Sequence, residues 1–353
     1  MGANKSRIIL LALFFPIFVF SQVLTIGEET HKIKYSNTIQ VSDLKKHVAI
    51  LSSDSLEGRE TGKRGQKMAA EYISNQFKEI GIHPYKNNTY YQKFKVKTKR
   101  HNCKCSTCDN NLLKKIIYGN YIKGENVLGY IEGTDLKEEL IIITAHYDHL
   151  GKHEDKIFNG ADDDGSGTAA TLEIAEAFML AKKEGNGPRR SVLIMPVSGE
   201  EKGLLGSKYY TDHPIYPLEN TVANLNIDMI GRVDDWHENG DYVYLIGADM
   251  LSQELHDISE QTNDQYIGLD LDYTFNAEDD PNRYYYRSDH YNFAKNNIPV
   301  IFYFNGVHED YHKVTDTVEK IDFNKIQTIT RLVFLTAWEL ANRDERIQLN
   351  KTD

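Results

Sequence analysis

The sequence predicts an α/β protein built as a single three-layer domain, in which a mostly parallel mixed β-sheet is flanked by helices on both faces. Apolar strand-like runs alternate with helical patterns over most of the 353-residue chain, an order typical of parallel sheets. The runs are rich in β-branched residues, as strands covered on both faces are. The predicted strands are NVLGYIE, LIIITAH, SVLIMPVS, VANLNIDMI, YVYLIG and IPVIFYF.

Helical patterns lie between most of these strands. Two amphipathic stretches precede the strands, starting from about residue 40, and flank a glycine- and charge-rich loop. The later helices are predicted to begin near Ser166, Leu204, Leu251 and Ser288, with a last helix from Phe323 to Asn342. Because the chain shows no internal repeat, low-complexity tract or long Pro/Ser linker, we expect one catalytic domain over residues 22–353.

The amino terminus has the pattern of a secretory signal peptide. A short basic region, MGANKSR, precedes the thirteen-residue apolar stretch IILLALFFPIFVF and the cleavage-like residues VFSQ. This stretch is too short for a membrane span, which needs about 20 residues, and no cysteine follows that would carry a lipid. We expect residues 1–21 to be removed, and the mature protein to be soluble, without a membrane span, and periplasmic or extracellular.

The composition, with 40% hydrophobic and 26% charged residues, is ordinary for a globular protein. The formal net charge of −11 argues against nucleic acid as a partner. Three cysteines, Cys103, Cys105 and Cys108, lie together within about residues 98–115. Their spacing matches no strong zinc pattern, so a surface insertion is favoured over a metal site.

The run LIIIT is followed by a histidine and an aspartate two residues apart, His146 and Asp148. Side chains two apart on a strand point the same way, so the pair can project together from the sheet edge, where ligands gather in open α/β sheets. The pair is either a hydrogen-bonded surface histidine or a metal-binding imidazole with the carboxylate that orients it.

Acidic residues follow the other predicted strands. Three successive aspartates in NGADDDGSG precede a helix; capping needs one of them, and the three repel one another unless positive charge lies between them. Glu200 and Glu201 follow SVLIMPVS, where such a pair is often only a solvated loop. Asp228 interrupts an apolar strand, where an unpaired carboxylate costs on the order of several kcal/mol. The candidate metal ligands at strand ends are His146, Asp163, Glu201, Asp228 and His312.

Two histidines and three carboxylates form a nitrogen and oxygen set that suits zinc. Because the set is larger than one catalytic zinc needs, it predicts two zinc ions that share a bridging carboxylate and together activate a water and polarise a carbonyl. Glu200 is the expected proton carrier, provided that the chain turn sends its side chain away from that of Glu201.

Six motifs together resemble the zinc-dependent aminopeptidases of the bacterial co-catalytic two-zinc exopeptidase family, whose relatives include glutaminyl cyclases and glutamate carboxypeptidases. The motifs are AHYDHLG, NGADDDGSGTAA, SGEEKGLLGS, NIDMIGR, RSDHYNFAKNNIPVIFY and YHKVTDTVEKID, in the family's order. The similarity runs from about Asp43 to the end of the chain. The resemblance implies a bridging carboxylate, Asp163, and two pairs of terminal ligands, His146 with Asp228 and Glu201 with His312.

The resemblance also implies roles for residues that do not bind metal. Glu200 matches the general base, Asp148 the partner that orients His146, and Tyr311 a residue that stabilises the tetrahedral intermediate, although a packed aromatic is an equal alternative for Tyr311. The stretch RSDHYNF resembles a segment near the substrate pocket, with helix capping by Ser288 and Asp289 as the alternative. The expected substrate-binding residues are Arg287, Asp289 and His290.

The expected activity is therefore hydrolysis of peptides from the amino terminus by an exported zinc enzyme. A glutaminyl cyclase on the same fold is one alternative, and such an enzyme typically keeps one zinc. A carboxypeptidase is another, and it needs cations for the terminal carboxylate, for which Arg232, Arg283 and Arg287 are candidates. A noncatalytic binding module would have lost ligand residues, whereas every ligand position is filled here.

Overall fold

The computed structural model describes residues 30–85, 89–97 and 121–351. The predicted signal peptide, residues 1–21, and the three cysteines lie outside the described residues. In chain order the strands are β1 (Tyr91–Lys97), β2 (Tyr121–Val127), β3 (Gly129–Ile131), β4 (Leu136–His146), β5 (Gly151–His153), β6 (Lys156–Phe158), β7 (Arg190–Val197), β8 (Thr221–Ile227), β9 (Tyr242–Ile246), β10 (Asp270–Asp272) and β11 (Val300–Phe304).

The helices begin within two residues of the positions that the sequence predicts. None of those in the described part of the chain has both the length and the apolar character that crossing a bilayer requires. A further helical segment covers residues 30–36. The α-helices are α1 (Val41–Leu51), α2 (Arg64–Ile80), α3 (Gly165–Lys183), α4 (Leu205–Asp212), α5 (Gln253–Tyr266), α6 (His290–Ala294) and α7 (Phe323–Asn342).

A seven-stranded sheet in the order β10-β9-β11-β8-β4-β7-β3 forms the centre of the protein. The four middle strands, β11, β8, β4 and β7, run parallel to one another. β3 pairs antiparallel with β7, and β9 pairs antiparallel with β11. The sheet is mixed and mostly parallel, so the predicted fold class is confirmed. The predicted strand NVLGYIE is divided between β2, which pairs with β1 in a separate hairpin, and β3.

Strand β4 shows why the sheet needs helices on both faces. Its residues are apolar on both sides: Ile141 and Ile143 pack in one core, whereas Ile142 between them packs in another. Helices α1, α2, α3, α5 and α7 contribute to the first core, and α4 and α6 contribute to the second. Because successive side chains of a strand point to opposite faces, the sequence LIIIT fits only a strand covered on both faces.

The parallel strands bring their carboxyl ends, and the polar residues that follow, to one edge of the sheet. β4 ends at His146, and Asp228 follows β8 directly. Glu200 comes just after β7, and His312 lies in the loop after β11. Residues that are far apart in the sequence therefore meet at this edge, as the general placement of sites in such sheets predicts.

Arg59 holds the backbone beneath this edge. Its side chain is completely buried and donates hydrogen bonds to the carbonyl oxygens of Tyr147, Leu51, Asn159 and Gly160 at 2.5–2.9 Å. It therefore connects the chain just after β4 with the segment that leads to the aspartates. Burial lowers the pKa of Arg59, and the nearby aspartates oppose this effect.

We predict that Arg59→Met lowers the free energy of unfolding by at least about 3 kcal/mol, because several buried carbonyl groups lose their donors at once. Urea unfolding followed by circular dichroism measures this. Arg64→Met is the matched control, because the Arg64 guanidinium is exposed and pairs with the Glu57 side chain at the surface. Equal stability of the two variants would show that Arg59 does not hold this backbone together.

Candidate metal centre

The three successive aspartates before α3 have three different sets of contacts. Asp162 accepts a hydrogen bond from the Gly231 amide at 2.6 Å, and its other oxygen lies 3.2 Å from His308 Nε2. Asp164 accepts from three backbone amides, those of His146, Gly167 and Met229. Although Asp164 also lies within ligand distance of His146 and Asp228, its oxygens are already engaged in capping α3 and joining strand ends.

The carboxylate of Asp163 lies between two histidines. Its Oδ1 atom is 3.2 Å from His146 Nε2, which is itself 3.3 Å from Asp228 Oδ1. Its Oδ2 atom is 3.1 Å from His312 Nε2, which is 3.2 Å from Glu201 Oε1. The five predicted ligands thus form two groups of three atoms, and the two oxygens of Asp163 belong to different groups.

These separations fit zinc. Two ligands of a tetrahedral zinc, each bonded at about 2.0–2.1 Å, lie about 3.3 Å apart. The buried atoms Asp163 Oδ2 and Glu201 Oε1 have no hydrogen-bond partner in the described part of the chain, whereas most buried polar atoms have one. The residues present therefore fit two metal ions, with Asp163 between them.

The charges at this edge depend strongly on one another. Burial opposes the protonated forms of His146 and His312, but the adjacent carboxylates prevail: the pKa of His146 is raised well above its ordinary value and that of His312 to about 10. Burial alone would raise the pKa of Asp163, but the neighbouring imidazoles lower it well below its ordinary value. Positive charge between the carboxylates is what keeps them ionised, and a metal ion supplies such charge.

Glu200 and Glu201 point to different places, as the sequence analysis required. The turn after β7 contains Gly199, whose φ of +87° is in the region that favours glycine. Glu201 reaches His312, whereas Glu200 lines a cavity together with His146 and Asp228. Burial raises the pKa of Glu200 well above its ordinary value, and the charges of Asp228 and Glu201 raise it further. A carboxylate with a raised pKa is suited to accept a proton near neutral pH.

Asp148 contacts His146 in a different way from that predicted. The atom nearest His146 Nδ1 is the main-chain carbonyl oxygen of Asp148, at 3.0 Å, whereas the carboxylate is 3.9 Å away. The carboxylate instead accepts hydrogen bonds from the Thr61 hydroxyl at 2.6 Å and from the Glu200 amide at 3.3 Å. The carbonyl therefore orients the ring, and the carboxylate connects β4 to the loop that carries Glu200.

Asp228 is held by a chain of buried polar side chains. Its Oδ2 atom accepts a hydrogen bond from the Ser288 hydroxyl at 2.6 Å. Asn226 donates to Ser288 at 2.9 Å and accepts from Thr144 at 2.6 Å. These contacts leave Oδ1 facing His146, and they show that Ser288 orients a candidate ligand.

The structure corrects part of the prediction for the substrate-binding residues. Arg287 lines the cavity, and its guanidinium lies 4.8 Å from the centre of the Tyr284 ring. Asp289 and His290 are completely buried and do not line it: Asp289 accepts from the Ser207 hydroxyl, and His290 stacks on Phe302. These two side chains pack behind the cavity wall, because α6 turns them toward the core.

Tyr311 lines the cavity, and its ring stacks on His312 with 3.9 Å between the ring centres. His312 has a φ of +56°, a conformation uncommon for residues other than glycine. Such strain is typical of functional positions. The role of Tyr311 at an intermediate stays a prediction.

The sequence analysis missed His149. This histidine lies three residues after His146 in AHYDHLG and is completely buried. Its Nδ1 atom lies 3.0 Å from Glu201 Oε1 and 3.7 Å from Asp163 Oδ2. The second histidine of this motif was visible in the sequence, but the two-residue alternation of a strand does not extend into the turn where it lies.

Known proteins share this arrangement of elements. Residues 126–337, more than half of the chain, match peptidase family M28. Aminopeptidase YwaD of Bacillus subtilis (strain 168) is 27% identical over 231 residues, which cover 63% of this chain and 46% of the relative. The chain thus matches less than half the length of that relative.

Two solved structures share the fold at low sequence identity. The LapA aminopeptidase of Legionella pneumophila is 21% identical with a TM-score of 0.67, over 90% of this chain and 75% of that one. The glutaminyl cyclase of Porphyromonas gingivalis is 18% identical with a TM-score of 0.63, over 84% and 97%.

The fold and the converging histidines and carboxylates define the class of this protein: a three-layer α/β domain with a candidate metal centre at the carboxyl edge of its sheet. The chain belongs to peptidase family M28, and the matched segment contains all five candidate ligands. The resemblance seen in the sequence is confirmed.

We predict that Asp148→Asn lowers peptidase activity or zinc affinity about 10- to 100-fold, as the loss of a residue that supports a ligand does. The amide keeps the shape of the side chain, and the main-chain contact with His146 persists, but the amide is a weaker acceptor for Thr61 and Glu200. Steady-state kinetics and zinc titration measure the effect. Asp155→Asn, at an exposed position, is the control, and identical behaviour of the two variants would contradict the role.

Proposed function

We propose that this protein is an exported aminopeptidase that holds two zinc ions and removes amino-terminal residues from peptides. One observation carries the proposal: six ligand atoms from five residues form two groups that share Asp163, and Glu200 lines the same cavity without belonging to either group. Export is proposed from the amino-terminal sequence alone.

Different side chains would bind the metal ions and transfer the proton during hydrolysis. His146 and Asp228 would hold one zinc and His312 and Glu201 the other, with Asp163 shared between them. Zinc at these positions would activate a water and polarise the scissile carbonyl. Glu200 accepts a proton from the attacking water and donates it to the leaving amine. Its raised pKa favours both directions of this transfer.

The charge of the cavity supports cleavage at the amino terminus. Several carboxylates line the cavity, against one arginine, Arg287, among the described residues that line it. Zinc would neutralise the two ligand carboxylates, Asp163 and Asp228, so Glu200 is the carboxylate that would contact a positively charged α-amino group. Of the other arginines considered for a carboxypeptidase, Arg232 pairs with Asp310 at 2.9 Å, and Arg283 lies over the Tyr286 ring.

Part of the cavity lining is apolar. It contains Met229, Phe302, Phe304 and Val307, and the His290 ring supports Phe302 from behind. An apolar wall beside carboxylates suits an amino-terminal residue with an apolar side chain. We therefore propose peptides that begin with an apolar residue as the preferred substrates.

A glutaminyl cyclase is the second candidate, because a protein of this activity shares the fold. The two-group arrangement of ligand atoms favours the peptidase, since a cyclase of this fold typically keeps one zinc. A binding module without activity has no use for Glu200 and a complete set of ligands in one cavity.

The zinc content and the cleaved end test the proposal together. Purified protein should hold about two zinc ions per chain by elemental analysis. Peptides with a free amino terminus and an amidated carboxyl terminus should be shortened stepwise from the amino end, as mass spectrometry reads directly, whereas amino-acetylated peptides should stay intact. One zinc at saturation with cyclised glutaminyl peptides would establish the cyclase, and cleavage of only the acetylated series would establish a carboxypeptidase.

We predict opposite effects for the two adjacent glutamates. Glu200→Gln should keep both ions while kcat falls about 10²- to 10⁴-fold, the range of general acid–base catalysis, and KM should change less because the lost interaction belongs mainly to the transition state. Glu201→Gln should instead weaken metal binding, because a neutral amide is a poorer ligand than a carboxylate.

Zinc titration and steady-state kinetics on both variants separate the two roles, and each variant is the other's control. The assignment is wrong if Glu200→Gln retains wild-type kcat, or if it loses zinc while Glu201→Gln retains it.

A further inference from the structure

His149 occupies a fixed position beside the second group of ligand atoms. Its side chain is completely buried, and its amide faces the Arg59 carbonyl at 3.4 Å. Gly160 packs against the ring so closely that a Cβ atom at position 160 would lie 2.6 Å from His149 Cγ. The absence of a side chain at Gly160 is therefore what makes room for this imidazole.

The His149 ring has no hydrogen-bond partner among the residues that the structure describes. Within this part of the chain, neither Nδ1 nor Nε2 forms a hydrogen bond, and the nearby oxygens Glu201 Oε1 and Asp163 Oδ2 lack partners as well. Nδ1 lies 3.0 Å from Glu201 Oε1, close enough for a hydrogen bond but without the direction that one requires. A buried imidazole whose two nitrogens both lack hydrogen bonds is unusual. Here Nδ1 lies near two carboxylate oxygens that also lack hydrogen bonds.

The separations are those of ligands around one ion. Nδ1 is 3.0 Å from Glu201 Oε1 and 3.7 Å from Asp163 Oδ2, values on either side of the distance of about 3.3 Å expected for two ligands of a tetrahedral zinc. His312 Nε2 is 3.1–3.2 Å from the same two oxygens. Both imidazoles thus lie beside the same pair of carboxylate oxygens, and His149, Asp163 and Glu201 offer ligand atoms that all lie within 4.8 Å of one another.

We propose that His149 binds the second zinc ion through Nδ1, as a fourth protein ligand beside His312, Glu201 and Asp163. This inference rests on the two-zinc centre proposed above. The first group, His146, Asp163 and Asp228, would give its zinc three protein ligands and leave the fourth position for water, as in catalytic zinc sites. With His149, the second zinc would have four protein ligands, as in structural zinc sites.

The cavity has the asymmetry that this assignment requires. All three residues of the first group line it, together with Glu200. Of the second group, Glu201 and His149 do not line it. An open position on the first zinc would therefore face Glu200, whereas His149 and Glu201 would hold the second zinc from the side away from the cavity.

The alternative is that His149 only positions Glu201 by donating a hydrogen bond. Two replacements separate these roles because they keep different properties of the ring. In His149→Asn the amide nitrogen takes the place of Nδ1 and can donate to Glu201, but it is a poor zinc ligand. In His149→Cys the thiolate is a strong zinc ligand, with a bond of about 2.3 Å, but a weak hydrogen-bond donor.

Zinc affinity, measured by competition with a chromophoric chelator, is the decisive reading. In His149→Asn the first zinc ion should bind as in the wild type. The affinity for the second ion should fall by more than about 100-fold, the upper end of what loss of a supporting residue causes. His149→Cys should restore much of the affinity. Visible absorption of the cobalt-loaded protein should show an altered coordination sphere at one site in both variants.

His153→Asn is the control, because this histidine of β5 is exposed, and circular dichroism confirms that each variant is folded. Normal binding of both ions by His149→Asn, or weaker binding by His149→Cys than by His149→Asn, would overturn the ligand assignment and leave the proposed function intact. If the wild-type protein binds a single zinc, both the two-zinc function and this assignment fail.

Discussion

The mutual repulsion of buried carboxylates at one edge of the sheet is the constraint on which the rest of this structure depends. Seven aspartates there are each at most 8% exposed: Asp148, Asp162, Asp163, Asp164, Asp228, Asp289 and Asp316. Like charges a few ångströms apart repel by on the order of several kcal/mol where water does not screen them. Each of these carboxylates must therefore accept a hydrogen bond, be protonated or lie beside a cation.

The protein meets this demand in three ways. Backbone amides satisfy Asp164 and Asp316. Burial raises the pKa of Asp289 to about 7 and that of Asp316 to about 6, so protonation removes part of their charge. Asp163 has imidazoles beside it instead, and there a metal ion would complete the balance. The metal site is thus the part of the charged edge that the chain leaves for a cation.

The sequence alone predicted the sheet and the helices because those depend on local patterns. The run LIIIT has apolar residues on both faces, so it forms a strand covered on both sides wherever it occurs. The sequence also indicated the candidate metal ligands Asp163, Glu201, Asp228, His146 and His312. Polar residues that follow buried parallel strands meet at the carboxyl edge of the sheet. This rule needs no knowledge of the loops.

Only the tertiary structure determined which atoms of these residues contact one another and which side chains line the cavity. It placed the Asp148 carbonyl, rather than its carboxylate, against His146, buried Asp289 and His290 behind the cavity wall, and brought His149 to Glu201. The physical reason is that a sequence pattern fixes which face of a strand a residue occupies. The direction of a side chain in a turn depends instead on backbone torsions and on contacts with distant segments, such as Gly160 against the His149 ring, and these arise only when the whole sheet is assembled.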